Sequence, residues 1–263
     1  MTAVVIGAGS GMGRAVAALF AEEDRLVLAD RDAAAVSQLA EVLTARGAQV
    51  ETVTCDVTDA AAVRRLAEVT GEFRALVHTA GLSPTMAAGR RIFEVNLQGT
   101  AYVLDAFLEF AGPGSAAVCF ASTAGHMMDV SQYAPALDDP LAPDFFERLH
   151  AIGGDLVDDS AMAYVLSKAG VMRLVRKRAA AWGKRGARVV SISPGIIDTP
   201  MGRQEYESQP AMADMVQTTP LQRQASAEEV ARVAQFLCSD GASFMSACDV
   251  LVDGGYIGSN VGA

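Results

Sequence analysis

Thr2-Ala3-Val4-Val5-Ile6 followed by Gly7-Ala8-Gly9-Ser10-Gly11-Met12-Gly13 is the stretch that decides the fold. The first five residues form an unbroken apolar and β-branched run, which reads as a strand buried on both faces. Four glycines at alternate positions then end it, and a helical period takes over from about residue 11 to residue 23. Glycine reaches backbone angles closed to other residues, so such a turn lets a pyrophosphate approach the amides at a helix N-terminus.

Outward from this unit the same rhythm repeats. Strands are expected at 26–29, 49–54, 75–79, 115–122, 188–193 and 249–252. Helices are expected between them: one capped by Asp32 and ended by Gly47, one after Thr58, and others over 89–110, 161–182 and 227–239, the last capped by Ser226. Strand–helix alternation with continuous apolar strands predicts an α/β fold. It is a Rossmann-type doubly wound parallel sheet of about seven strands with helices on both faces. Residues 1–263 read as one domain. Two segments break its rhythm. One is a proline- and aspartate-rich stretch at 126–159, expected as an exposed inserted subdomain with a short helix near 144–151; the other is a polar, Met-rich substrate loop at 200–225.

Composition excludes several classes. The chain is 51% hydrophobic and 20% charged, which argues for a full core and against disorder. With 31 acidic against 21 basic residues it carries a net charge of −10, which disfavours nucleic acid and anionic membrane as partners. The run Arg173, Arg176, Lys177 and Arg178 reads as a solvated helix end. Cys55, Cys119, Cys238 and Cys248 form no CxxC pair, and His78, His126 and His150 are scattered, so no metal site is expected and a reducing cytoplasm is. The glycine-broken N-terminal stretch, carrying Arg14, is unlike a signal peptide or membrane span.

Two further features carry chemistry. The second strand ends in Asp30-Arg31, 17 positions past Gly13, where a carboxylate can accept both hydroxyls of an adenosine ribose and would oppose a 2′-phosphate. This favours NAD over NADP, although Arg31 could receive a phosphate. Tyr164-Val165-Leu166-Ser167-Lys168 places a phenol and an ammonium four apart on one helix face. A nearby cation favours phenolate, so Lys168 is expected to lower the Tyr164 pKa and make it a proton carrier for an alcohol.

Over nearly its whole length the chain resembles the short-chain dehydrogenases/reductases. Gly7, Gly11 and Gly13 match their glycine motif, with Ile6 replacing its threonine; Ser122 matches the catalytic serine after the fifth strand. Tyr164 and Lys168 match the catalytic pair, and Asn96 the helix asparagine that holds a water leading to the lysine. Cys55-Asp56-Val57 resembles the adenine-contacting pair, Pro194-Gly195 with Thr199-Pro200 the nicotinamide turn, and Val252-Asp253-Gly254-Gly255 the C-terminal motif. The resemblance implies a cofactor shell of Gly7, Ser10, Gly11, Met12, Gly13, Asp30, Arg31, Asp56, Val57, Ala80, Gly81, Pro194, Gly195, Ile197 and Thr199, with Tyr164 and Lys168 at the nicotinamide end. It also implies NAD as cofactor, a homo-oligomer (dimer or tetramer), and interconversion of a secondary alcohol and a ketone.

The departures are informative. The family's NNAG reads His78-Thr79-Ala80-Gly81, for which a shifted turn is expected. Only 15 positions separate Gly81 from Asn96, whereas 42 separate Ser122 from Tyr164, so the 126–159 stretch is largely inserted. Together with Arg176-Lys177-Arg178-Ala179-Ala180-Ala181-Trp182-Gly183, this resembles the bacterial 3α-hydroxysteroid dehydrogenase/carbonyl reductase branch and implies a hydroxysteroid or other bulky cyclic alcohol. The insertion is expected to cover the substrate cleft or block a subunit interface. The 200–225 segment is expected to close over substrate, and Met127, Met128, Met201 and Met212 are candidates for core or pocket lining. A catalytically silent NAD sensor or scaffold is the alternative, against which the intact Asn96, Ser122, Tyr164 and Lys168 argue.

Overall fold

A computed structural model describes residues 1–22, 25–209 and 211–260. Glu23, at the end of the expected first helix, Pro210, within the 200–225 stretch, and residues 261–263 lie outside the described residues. The first half of the chain forms β1 (Thr2–Ile6), α1 (Gly11–Phe20), β2 (Arg25–Asp30), α2 (Ala33–Thr44), β3 (Val50–Thr54), α3 (Ala60–Thr70) and β4 (Ala75–His78). Next come α4 (Gly89–Phe93), α5 (Gly99–Leu108), β5 (Ala116–Phe120), α6 (Ala134–Leu137), α7 (Phe145–Gly153), α8 (Ser160–Lys184) and β6 (Arg188–Pro194). The remainder is β7 (Ile197–Asp198), α9 (Pro200–Ser208), α10 (Ala211–Thr218), β8 (Ala225–Ser226), α11 (Ala227–Cys238), β9 (Asp249–Val252) and α12 (Tyr256–Asn260).

Seven strands pair in parallel in the order β3-β2-β1-β4-β5-β6-β9, the doubly wound sheet the alternation predicts, while β7 and β8 form a separate short ribbon. Strand order reverses between β1 and β4, and ligands of such sheets sit beyond the carboxyl ends at that reversal. Both faces are covered. Val4, Ile6, Leu76 and Ala117 pack with α3, α5 and α8, whereas Ala3, Val5, Val77 and Val118 pack with α1, α2 and α11. Two-sided burial is why the central strands read as unbroken apolar runs instead of alternating ones. Caps fix where the helices begin: Asp32 accepts from Ala35 N and Asp159 from Met162 N, and Ser226 with Glu229 forms a reciprocal capping box.

The structure departs from the sequence reading in three places. The expected helix over 89–110 is broken by a π-helical turn at Glu94–Gln98, which contains Asn96; such turns shift the side-chain register within a helix and often occur at functional sites. The 200–225 stretch is not an open loop but α9, α10 and β8.

The 126–159 segment is no separate exposed subdomain. Tyr133, Ala136, Leu137, Phe145, Leu149 and Val157 are all buried and continuous with the core around α4, α5 and α8. Phe145 stacks edge-on against Phe93 of α4 at 5.7 Å between ring centroids, and Asp138 pairs with Arg173 and Lys177 of α8. Pro135, Pro143, Asp139 and Asp144 face outward, while the buried apolar residues between them complete the core. Because the segment shares one core with the sheet, Phe145→Ala is expected to cost about 3–5 kcal/mol of global stability in a single denaturant transition. A separate early transition at 126–159, with the main transition unmoved, would show an independent subdomain instead.

Candidate active site

At the strand-order reversal, β1 turns into α1 so tightly that side chains are excluded. A Cβ on Gly13 would lie 2.0 Å from the Gly7 carbonyl oxygen. Gly7 itself has φ +87°, and a Cβ there would lie 2.5 Å from the Ala80 amide nitrogen. Whereas α2, α3, α8, α9 and α11 close their first turns with a side chain, the Ser10 side chain makes no capping hydrogen bond at α1, and no acidic residue occupies its first turn. The free amides and positive helix end therefore face the cleft, an arrangement that suits a phosphate. Thr79, the departure from the family's asparagine, keeps this corner closed: its hydroxyl donates to the Ile6 carbonyl at 2.9 Å.

Asp30 lies beside the same turn. Its carboxylate accepts from Gly9 N at 2.9 Å and from Asp32 N at 3.0 Å, while Arg31 is exposed at the rim. Asp56, after β3, is held by the Thr58 amide and hydroxyl and by Arg91 at 3.1 Å. Partial burial works against its charge, but these hydrogen bonds and the Arg91 guanidinium leave its pKa lowered. On the far side, Thr199 caps α9 by accepting from Gly202 N at 3.0 Å, and Gly195 fits against Asp253, whose Cα would be 2.8 Å from an added Cβ.

The chemical groups meet at the other end of the cleft. Ser122 follows β5, and its Oγ accepts from Ala124 N at 3.2 Å. Tyr164 and Lys168 lie one turn apart on α8, with the Tyr164 hydroxyl beside that of Ser122. Lys168 is buried and donates to the Phe120 carbonyl at 2.9 Å; its ammonium lies 5.8 Å from the Tyr164 ring centroid. Burial lowers the Lys168 pKa to about 8. Burial also dominates at Tyr164, pushing its pKa up to about 12 against the lowering effect of the Ser122 hydrogen bond, with Glu205 adding to the rise. This corrects the expectation that Lys168 lowers it. Withdrawal of the phenol from water dominates, and the Lys168 ammonium is held to the Phe120 carbonyl.

Asn96 stands behind this group. Its amide accepts from Leu82 N at 2.7 Å and donates to Leu82 O at 3.0 Å, and its nitrogen also reaches Ser167 Oγ at 3.3 Å. A Cβ on Gly81 would lie 3.3 Å from both Asn96 Oδ1 and Lys168 Nζ, so the loop, the π-turn and the lysine converge closely here. The Asn96 side chain thus works as a brace. The rest of the sequence-predicted set, from Gly7 through Asp30, Asp56 and Gly81 to Tyr164 and Thr199, lines one cleft of about 350 Å³.

The family model described as "short chain dehydrogenase" matches residues 1–135, and one described as "Enoyl-(Acyl carrier protein) reductase" matches residues 149–257. The chain belongs to the short-chain dehydrogenases/reductases. It is 35% identical over 190 residues to the 3-alpha-hydroxysteroid dehydrogenase/carbonyl reductase of Comamonas testosteroni, covering 68% of this chain and 71% of that one. It is 32% identical over 263 residues to the galactitol 2-dehydrogenase (L-tagatose-forming) of Cereibacter sphaeroides, covering 97% and 94%. A 7α-hydroxysteroid dehydrogenase solved with NADH and 7-oxoglycochenodeoxycholic acid superposes with a TM-score of 0.77 at 25% identity, covering 97% and 93%.

As a short-chain dehydrogenase/reductase the chain is an oxidoreductase that uses a nicotinamide cofactor and interconverts alcohols and ketones. The glycine cradle, uncapped α1 and Asp30 fit the nucleotide half of such a cofactor. Sequence reasoning missed four members of the site. Ser167 hydrogen-bonds the Tyr164 carbonyl and Asn96, Arg91 holds Asp56, and Ser83 with Glu205 spans the catalytic end. Ser167 lies within the Tyr164–Lys168 stretch, where it reads as a spacer; Arg91, Ser83 and Glu205 sit in no local motif and act across elements distant in sequence.

Some expected residues lie elsewhere. Met201 and Met212 line the cleft together with Met12 and Met86, but Met127 and Met128 do not, and no residue of 126–159 does. The insertion therefore does not cover the cleft. His126, expected at the surface or in packing, binds Asp249 at 2.9 Å and Ser193 at 3.2 Å, tying the turn after Ser122 to β6 and β9. His78 is buried in β4 with a pKa lowered to about 3 by burial and by Lys168, so it stays neutral. Among the described residues, no helix is long and apolar enough to cross a membrane.

Proposed function

We propose that the chain is an NAD(H)-dependent oxidoreductase that interconverts a bulky secondary alcohol, such as a cyclic or hydroxysteroid alcohol, and its ketone. The observation that carries this reading is the meeting of the Ser122 and Tyr164 hydroxyls beside buried Lys168, in the same cleft as the glycine turn. Ser122 holds the substrate oxygen. Tyr164 as the neutral phenol donates to a developing alkoxide in reduction; in oxidation it must first give up that proton, and its phenolate then takes the alcohol proton. Lys168 supplies positive charge below about pH 8 and binds the nicotinamide ribose, while Asn96 fixes the loop beside it and anchors a relay water. When bound, the nicotinamide supplies or receives the hydride.

Asp30 supports NAD: its carboxylate lies at the Gly9 amide, where a 2′-phosphate would face like charge. The hydroxysteroid dehydrogenase/carbonyl reductase relative and the neighbour holding NADH agree with this reading. We further propose a homo-oligomer, a dimer or tetramer, in which α6 and α7 close the outer face of α8 to a second copy. A light-scattering mass of two or four chains fits that assembly, and a mass of one chain contradicts it.

Steady-state kinetics over a panel of secondary alcohols tests the chemistry. Turnover is expected to favour NAD over NADP by about tenfold or more, a difference of roughly 1.4 kcal/mol. Tyr164→Phe is expected to lose about 10²- to 10⁴-fold in kcat while still binding NADH. Undiminished turnover in that variant contradicts the assignment. Complete inactivity of the unaltered enzyme, with nucleotide still bound, points to a sensor or scaffold.

A further inference from the structure

The cleft carries a carboxylate where an alcohol is to be held. Four acidic residues line it among the described residues. Asp30, Asp32 and Asp56 stand at the strand ends beside the glycine turn, and Glu205 stands at the catalytic end. Glu205 comes from α9, whose start is fixed by the Thr199 cap and by Pro200 in its first turn. It is half-buried, with the Ser83 hydroxyl beside its carboxylate. Ser83 is wholly buried in the loop between β4 and α4, with its Oγ 3.0 Å from Thr85 Oγ1. The carboxylate therefore stands between α9 and this loop, partly withdrawn from solvent.

Its surroundings make it expensive. Leu82, Met86, Val95, Met201 and Met212 form the apolar wall around this end. Burial raises the Glu205 pKa, with Lys168 and Ser83 opposing. The charge of Glu205 in turn raises the Tyr164 pKa, which works against the phenolate that alcohol oxidation needs. Neither Ser122, Tyr164 nor Lys168 uses this group in the alcohol–ketone chemistry. An ionised carboxylate only accepts hydrogen bonds, so beyond Lys168 and Ser83 a donor on the bound molecule offsets its desolvation further.

We propose that Glu205 is a substrate-binding residue that accepts a hydrogen bond from a second hydroxyl near the carbinol carbon, and that the preferred substrate is a neutral vicinal diol or its hydroxyketone. The inference rests on the alcohol–ketone reading and specifies its substrate class. The redox step is unaltered. The carbinol hydrogen leaves as hydride to NAD, its O–H proton passes to the Tyr164 phenolate, and the second hydroxyl keeps its proton while donating to Glu205. An anionic hydroxy acid would meet like charge in the same place.

The test compares kcat/KM for cyclohexane-1,2-diol and cyclohexanol, with NAD, in the unaltered enzyme, Glu205→Gln and Glu205→Leu. The diol is expected to be favoured by about tenfold to a hundredfold, the range of a hydrogen bond to a charged acceptor. The ratio should fall towards one in Glu205→Leu and to an intermediate value in Glu205→Gln, whose amide oxygen still accepts. Turnover of both alcohols with no preference, or a ratio unchanged in Glu205→Leu, overturns this inference alone; an equal fall on both alcohols would make Glu205 a counter-ion of Lys168. If the unaltered enzyme turns over neither alcohol nor any other of the wider panel, the alcohol–ketone reading fails and takes this inference with it.

Discussion

Gly13 packs against the Gly7 carbonyl with no room for a methyl group between them, and the rest of the site is built on that contact. It lets α1 rise directly from the end of β1, so that the helix presents free amides to the crevice. It also leaves the Ile6 and Gly7 carbonyls open to the Thr79 hydroxyl, which draws the end of β4 alongside. From β4 the loop carrying Gly81 and Leu82 reaches Asn96, and Asn96 reaches Ser167 on the helix of the catalytic pair. Nucleotide cradle and proton-transfer groups are thus linked by a short chain of backbone and side-chain hydrogen bonds.

The electrostatics of the cleft are set by burial more than by pairing. Lys168 is buried and Tyr164 partly so, which favours the neutral form of each, and the carbonyl of Phe120 gives the ammonium a fixed partner. A phenol poised as an acid suits donation to a ketone oxygen. Proton abstraction from an alcohol needs additional positive charge, so the two directions of the reaction make different demands on one pair of residues.

Much of the architecture was legible in the sequence because it rests on local patterns. The apolar strand runs, the Asp32 and Ser226 caps and the glycine turn each follow from neighbouring residues, as does the one-turn spacing of Tyr164 and Lys168. What escaped is tertiary. The burial of Phe145 and Leu149 was masked by the prolines and aspartates around them, although their apolar spacing on one helix was a usable signal. The π-turn at Asn96 has no mark in composition. The rise in the Tyr164 pKa reflects desolvation by residues from many parts of the fold, which local spacing does not report, and Glu205 meets Ser83 only after α9 folds over the cleft.

A crystal structure with NADH and an unreactive ketone analogue tests the central claim most directly. The account predicts the pyrophosphate at the N-terminus of α1 and the analogue's carbonyl oxygen within hydrogen-bond distance of both Ser122 and Tyr164. The nicotinamide should face the carbonyl carbon. A nucleotide seated away from the Gly7–Gly13 turn, or a carbonyl out of reach of those two hydroxyls, would contradict it.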